Sequence, residues 1–252
     1  MKKIALITGA TSGIGEACAQ ILAANKINRI ITGRRSNRLD LLKEKLSNQY
    51  SISVYNLAFD IRNENEVQKA LETLPNEWKN IDILVNNAGL SAGLDPIHKG
   101  STADWDQMID TNVKGLLYVS RLVSAGMVER RKGQIINISS IAGKEIYPNG
   151  NVYCATKHAV AALTRAMRLD LHTYGIRVGS ISPGMVETEF SMVRFHGDKE
   201  RAEAVYNGFT PLSANDIAEA LLFMINRPQH VNIDDLFITA SAQGSSRDTY
   251  RI

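Results

Sequence analysis

Lys3 to Thr8 is a short apolar run that ends directly in Gly9-Ala10-Thr11-Ser12-Gly13-Ile14-Gly15, and a helical pattern follows from Glu16 to Asn25. Strand, glycine turn and helix in immediate succession is the local context that a dinucleotide pyrophosphate site requires. Glycines let the backbone approach the phosphates, and their charge settles at the helix N-terminus. The spacing is G-x-x-x-G-x-G rather than G-x-G-x-x-G. The rival reading is a tight glycine turn that binds nothing. Against it, all three glycines bunch at the one junction where they would matter.

The rest of the chain keeps up the alternation. Apolar β-rich runs are expected as strands over Lys3–Thr8, Arg29–Gly33, Ser51–Phe59, Ile81–Asn86, Gly133–Ser139, Arg177–Ser182 and Leu236–Ala240, with helical patterns between them. Such alternation predicts an α/β fold: one Rossmann-type, doubly wound, mainly parallel seven-stranded sheet with helices on both faces. At 252 residues the chain suits one domain with a full core. Asn63, with Glu66 three residues on, reads as a capping box. Trp105 to Arg131 and Val152 to Tyr174 carry apolar residues on more than one helical face, which suggests burial, in part against a neighbouring subunit. Gly184 to Pro211 is the least periodic stretch and the candidate for a mobile lid.

Tyr153 and Lys157 are one helical turn apart, so an ammonium should lie beside a phenol. A nearby positive charge lowers a phenol's pKa, and such a tyrosine exchanges a proton with an alcohol or ketone oxygen. Ser140 lies thirteen residues before Tyr153 and is suited to hydrogen-bond that oxygen. The second strand ends in Thr32-Gly33-Arg34-Arg35, where an NAD site places an acid for the ribose 2′-hydroxyl. Two arginines there suit a 2′-phosphate instead, so NADP(H) is the expected cofactor. Solvated loop arginines are the alternative.

Taken together, the motifs Thr8-Gly9-x-x-x-Gly13-Ile14-Gly15, Asp60, Asn86-Asn87-Ala88-Gly89, Asn112, Ser140, Tyr153-x-x-x-Lys157 and Pro183-Gly184-x-x-x-Thr188 resemble the short-chain dehydrogenase/reductase family in order and spacing. Within it the chain is similar to the NADP-dependent 3-hydroxy acid dehydrogenases that oxidise serine and related short acids. Gly33-Arg34-Arg35, Asn86 to Leu90, Asp110-Thr111-Asn112 and Val193-Arg194-Phe195-x-Gly197-Asp198 carry that likeness. The resemblance implies a catalytic tetrad of Asn112, Ser140, Tyr153 and Lys157. In it Lys157 lowers the Tyr153 pKa and bonds the nicotinamide ribose, and Asn112 holds a water that relays protons. It also implies cofactor contacts from Gly9, Thr11, Ser12, Gly13, Ile14, Gly15, Arg34, Arg35, Asp60, Ile61, Asn86, Ala88, Gly89, Tyr153, Lys157, Pro183, Gly184, Val186 and Thr188. Asp60 would take a bond from the adenine amino group, or else cap its own turn. Thr188 would hold the nicotinamide carboxamide. A cofactor half to about residue 140, a catalytic and substrate part beyond it, and a homotetramer built as a dimer of dimers complete the expectation.

Substrate evidence in the sequence is thinner. Arg194, within the lid candidate, could clamp a carboxylate, or could make a surface or intersubunit ion pair. A 3-oxoacyl thioester reductase would share every catalytic residue. A non-catalytic NADP-sensing regulator would need no Tyr-Lys pair. Other classes find no support. The five histidines form no metal-ligand spacing, and no G-x-S-x-G nucleophile elbow occurs. A net charge of +3 makes no electrostatic case for nucleic acid or an anionic membrane. Cys18 and Cys154 read as buried thiols of a reducing compartment. No stretch approaches a membrane span, and the apolar run after Met1-Lys2-Lys3 is too short for a signal peptide, so a cytoplasmic protein is expected.

Overall fold

The computed structural model describes residues 3–252. Its seven-stranded sheet consists of β1 (Ile4–Ile7), β2 (Asn28–Gly33), β3 (Val54–Ala58), β4 (Ile83–Asn86), β5 (Gly133–Ile138), β6 (Ile176–Pro183) and, after two short strands β7 (Val186–Glu187) and β8 (Leu212–Ser213), β9 (Asp235–Ile238). The strand order is β3-β2-β1-β4-β5-β6-β9. Every neighbouring pair is parallel. The order reverses between β1 and β4, which opens a crevice at the carboxyl ends of these strands.

A parallel sheet covered on both faces needs near-continuous apolar strands. The two-residue side-chain period then divides each strand between two cores. Ala5, Ile7, Ile31, Ile83, Val85, Ile136 and Ile138 join one core, and Leu6, Ile30, Leu84 and Ile135 the other. The helices are α1 (Gly13–Ala24), α2 (Ser36–Tyr50), α3 (Glu64–Glu72), α4 (Thr102–Ile109), α5 (Leu116–Arg130), α6 (Asn151–Leu171), α7 (Phe190–Arg194), α8 (Lys199–Ala204) and α9 (Ala214–Ile225). Cys18, Ala19 and Leu22 of α1 and Ile217, Leu221 and Met224 of α9 fill the first core; Val67 of α3 and Val119, Val123 and Met127 of α5 fill the second. Both cysteines are buried and free.

Three local features refine the sequence expectation. Asn63 caps α3 by accepting from the Asn65 and Glu66 backbone N–H groups. The reciprocal half of the box is absent: the Glu66 carboxylate accepts instead from the Asp60 N–H at 2.8 Å and the Asn63 side-chain amide at 3.1 Å. The strand end thus competes for the acid. A full capping box does form at Ser213 and Asp216, at the start of α9. The long segment from Thr102 to Arg130 is helical throughout but interrupted by a π-helical stretch, Asp110–Gly115. A π-turn is a rare departure that clusters at functional sites, and this one contains Asn112.

Gly184 to Pro211 contains β7, α7 and α8 between turns. Ser191, Phe195 and Ala202 anchor it by burial. Among the described residues, no helix is long and apolar enough to cross a membrane. Among the same residues no group of three or more His, Cys, Asp or Glu side chains assembles as a metal site.

Candidate active site

A cleft of about 350 Å³ opens at the switch point, and most of the motif residues line it. At one end lie Arg34, Arg35, Asp60 and Ile61. The glycine turn, with Ala88 and Gly89, borders it between. Ser140, Tyr153, Lys157, Pro183, Gly184, Val186 and Thr188 line the rest.

The glycines are explained by close approach. Gly9 and Gly13 have φ of +66° and +55°, and a Cβ on Gly9 would lie 2.9 Å from the Ala88 Cα. A Cβ on Gly15 would lie 2.3 Å from the Gly9 carbonyl oxygen, so Gly15 packs helix on turn and does not line the cleft. Ser12, the N-cap residue of α1, makes no side-chain cap; its hydroxyl accepts from Arg35 Nη2 at 2.9 Å. The first turn of α1 therefore keeps unpaired N–H groups of the kind that bind phosphate. This cradle, with two arginines at its rim, fits a phosphorylated dinucleotide.

Asn86, Asn112 and Arg194 stand outside the cleft lining. Asn86 continues the period of Leu84, which directs it to the second core. There it donates to Ser120 Oγ and Asn137 Oδ1, both at 2.8 Å. Period-2 alternation could have shown this from the sequence. Asn87, one residue on, lines the cleft and ties β4 to the turn by donating to the Thr8 and Gly9 carbonyls. Asn112 Oδ1 accepts from the Leu90 N–H at 2.9 Å. Its Nδ2 donates to the Leu90 carbonyl at 2.8 Å and to Thr156 Oγ1 at 3.0 Å. Both Nδ2 hydrogens are so engaged, which leaves Asn112 able only to accept from a water.

Asp60 accepts from the Arg62 backbone N–H at 3.0 Å and is forked by the Arg62 guanidinium. Arg62's bonds hold its carboxyl below the usual carboxylate range, with a smaller contribution from Arg34. The turn-capping reading thus describes its bonds, while it also lines the cleft. Thr188 Oγ1 accepts from the Phe190 N–H at 3.2 Å.

Tyr153, Lys157 and Ser140 are 7%, 6% and 8% exposed. Ser140 Oγ accepts from the Ala142 N–H, and Lys157 Nζ donates to the Ile138 carbonyl at 2.9 Å. The electrostatics depart from the expected pairing. Burial pushes the Tyr153 phenol above its ordinary pKa; Arg194 and the Ser140 hydroxyl oppose the rise. Burial lowers the Lys157 ammonium to about 8. Desolvation outweighs the i,i+4 pairing, and the cation that opposes it is Arg194.

Arg194 was an isolated lid residue in the sequence. In the fold its guanidinium lies 5.1 Å from the Tyr153 ring centre and 5.0 Å from that of Phe190. Nε donates to Ser91 Oγ at 3.0 Å and Nη2 to Tyr147 Oη at 2.9 Å. Among the described residues no carboxylate pairs with it. Ser91, Tyr147 and Phe190 carry no motif, and only the folded lid brings them together.

The short chain dehydrogenase family model matches residues 3–199. The NADP-dependent 3-hydroxy acid dehydrogenase YdfG of Escherichia coli (strain K12) is 47% identical over 234 residues, 92% of this chain and 93% of its own. The NADP-dependent 3-hydroxy acid dehydrogenase of Schizosaccharomyces pombe is 41% identical over 250 residues, 99% of this chain and 96% of its own. Among solved structures, the closed form of serine dehydrogenase complexed with NADP+ superposes with a TM-score of 0.92 at 44% identity, covering 99% of both chains.

Proposed function

The chain belongs to the short chain dehydrogenase family, and from that premise we propose that it is an NADP-dependent oxidoreductase interconverting a hydroxyl and a carbonyl on short 3-hydroxy acids such as serine or 3-hydroxyisobutyrate. The observation that carries this reading is a single cleft with Arg34 and Arg35 at one end and Ser140, Tyr153, Lys157 at the other. Relatives at 41–48% identity named for this activity support the cofactor and substrate class.

On this reading the glycine turn and the first turn of α1 bind the pyrophosphate, and Arg34 and Arg35 the 2′-phosphate. The bound nicotinamide supplies the hydride acceptor or donor. Ser140 hydrogen-bonds the substrate oxygen, and Tyr153 exchanges a proton with it. Lys157 bonds the ribose and feeds protons through a water at Asn112. Arg194, held over the Tyr153 ring, pairs with the substrate carboxylate. It also keeps the phenol's pKa from rising further. That unpaired cation favours a free acid over a thioester.

We propose further that the enzyme is a cytoplasmic homotetramer; exposed Ile109 and Leu117 on the interrupted helix and Leu169 on α6 support its assembly. The test of function is turnover of L-serine, 3-hydroxyisobutyrate, 3-hydroxybutyrate and an acetoacetyl thioester, each with NADP(H) and NAD(H). Preference for the thioester, or for NAD(H), overturns the reading.

A further inference from the structure

Arg35 does not wait free at the cleft rim. Its Nη1 donates to Glu189 Oε2 at 3.1 Å, and Arg38, three residues further on, donates from Nη1 to Glu189 Oε1 at 2.7 Å. Glu189 immediately precedes α7, on the opposite wall of the same cleft. A single carboxylate of the lid segment thus grips Arg35, one of the two arginines assigned to the 2′-phosphate, together with Arg38. A carboxylate and a phosphate oxygen make the same charge-assisted bonds to a guanidinium. They are competitors for one pair of donors.

We propose that Glu189 is a specificity-determining residue that occupies Arg35 and Arg38 in place of the cofactor's 2′-phosphate and is displaced by it, with Arg38 a further phosphate ligand once released. The proposal rests on the NADP reading above. NADP then binds only the fraction of molecules in which the grip is open, which weakens its apparent affinity by that fraction. NAD has no 2′-phosphate to contend for these arginines, so Glu189 leaves it untouched. The segment ahead of α7 is released from the β2–α2 loop as the phosphate enters.

The test is calorimetric binding of 2′,5′-ADP and 5′-ADP to the full chain, as wild type, Glu189→Gln and Glu189→Ala. The side chains of Glu189, Arg35 and Arg38 are 48%, 41% and 42% exposed, so neither variant threatens the fold. Both variants should bind 2′,5′-ADP about 1.4- to fivefold more tightly, the range for an exposed ion pair, and 5′-ADP unchanged. Amide exchange at α7 should rise in both variants, and in wild type on adding 2′,5′-ADP but not 5′-ADP. Unchanged or weaker 2′,5′-ADP binding overturns the competition and makes Glu189 a residue that positions the arginines. Wild type that does not prefer 2′,5′-ADP over 5′-ADP overturns the NADP reading itself. The two failures are therefore distinct.

Discussion

The two ends of the cleft are built on opposite terms. At the phosphate end, Arg34, Arg35 and Arg38 stand at the surface, and the partners of Arg35 and Arg38 are hydroxyls and one half-exposed acid. At the chemical end, Tyr153, Lys157 and Ser140 are buried against the second half of the sheet. Exposed charges recognise a ligand and change little else, because solvent screens them. Buried groups interact more strongly, and their own protonation is altered by the burial. Mutations at the buried end should therefore reach catalysis, and stability as well where they change a buried charge, while those at the exposed end should reach only cofactor choice.

The largest expected effect tests the buried end. Tyr153→Phe removes one hydroxyl and should lower turnover by at least ~100-fold, the usual contribution of a positioned acid–base group. Thermal melting and NADP binding should hold. A variant that keeps a large part of its activity would remove Tyr153 as proton carrier.

Arg194 joins the two regimes, since it comes from the lid but sits over a buried ring. Arg194→Ala should lower kcat/KM for a 3-hydroxy acid about 10- to 100-fold relative to its methyl ester, as expected for losing a bond to a charged group. With the ester, whose oxidation needs Tyr153 as a base, the acid limb of the pH profile should move upward, because a cation that favours the phenolate is gone. An unchanged acid-to-ester ratio would take Arg194 out of the substrate site.

Neutralising Arg34 and Arg35 together should erase an NADP preference of more than tenfold, about 1.4 kcal/mol, and leave turnover with NAD similar. Equal use of both cofactors by the unmodified protein would refute the reading of these arginines.

A pH dependence of stability probes the same burial without any substrate. Lys157 titrates near 8 in the fold and near 10.5 when unfolded. Between these values the unfolded chain binds more protons, so wild-type stability rises with pH. The burial penalty is fully present below about 8. The melting temperature of Lys157→Met relative to wild type should accordingly fall as pH rises from 8 to 10.5. A flat difference would mean that Lys157 is not desolvated as the fold suggests.

What the sequence determined by itself was local. Strand and helix periods, together with the glycine turn, were enough for the parallel seven-stranded α/β sheet, because both faces of each strand must be apolar. The i,i+4 spacing was enough to set Tyr153 beside Lys157 on α6. The tertiary structure decided what depends on contacts distant in sequence. It turned Asn86 into the core, occupied the Asn112 amide with Leu90 and Thr156, and gave Glu66 to Asp60. It brought Arg194 over Tyr153, and Glu189 to Arg35 from 154 residues away. It also set the direction of the pKa shifts, since burial is a property of the packed molecule and outweighed the charge pairing that spacing alone implied.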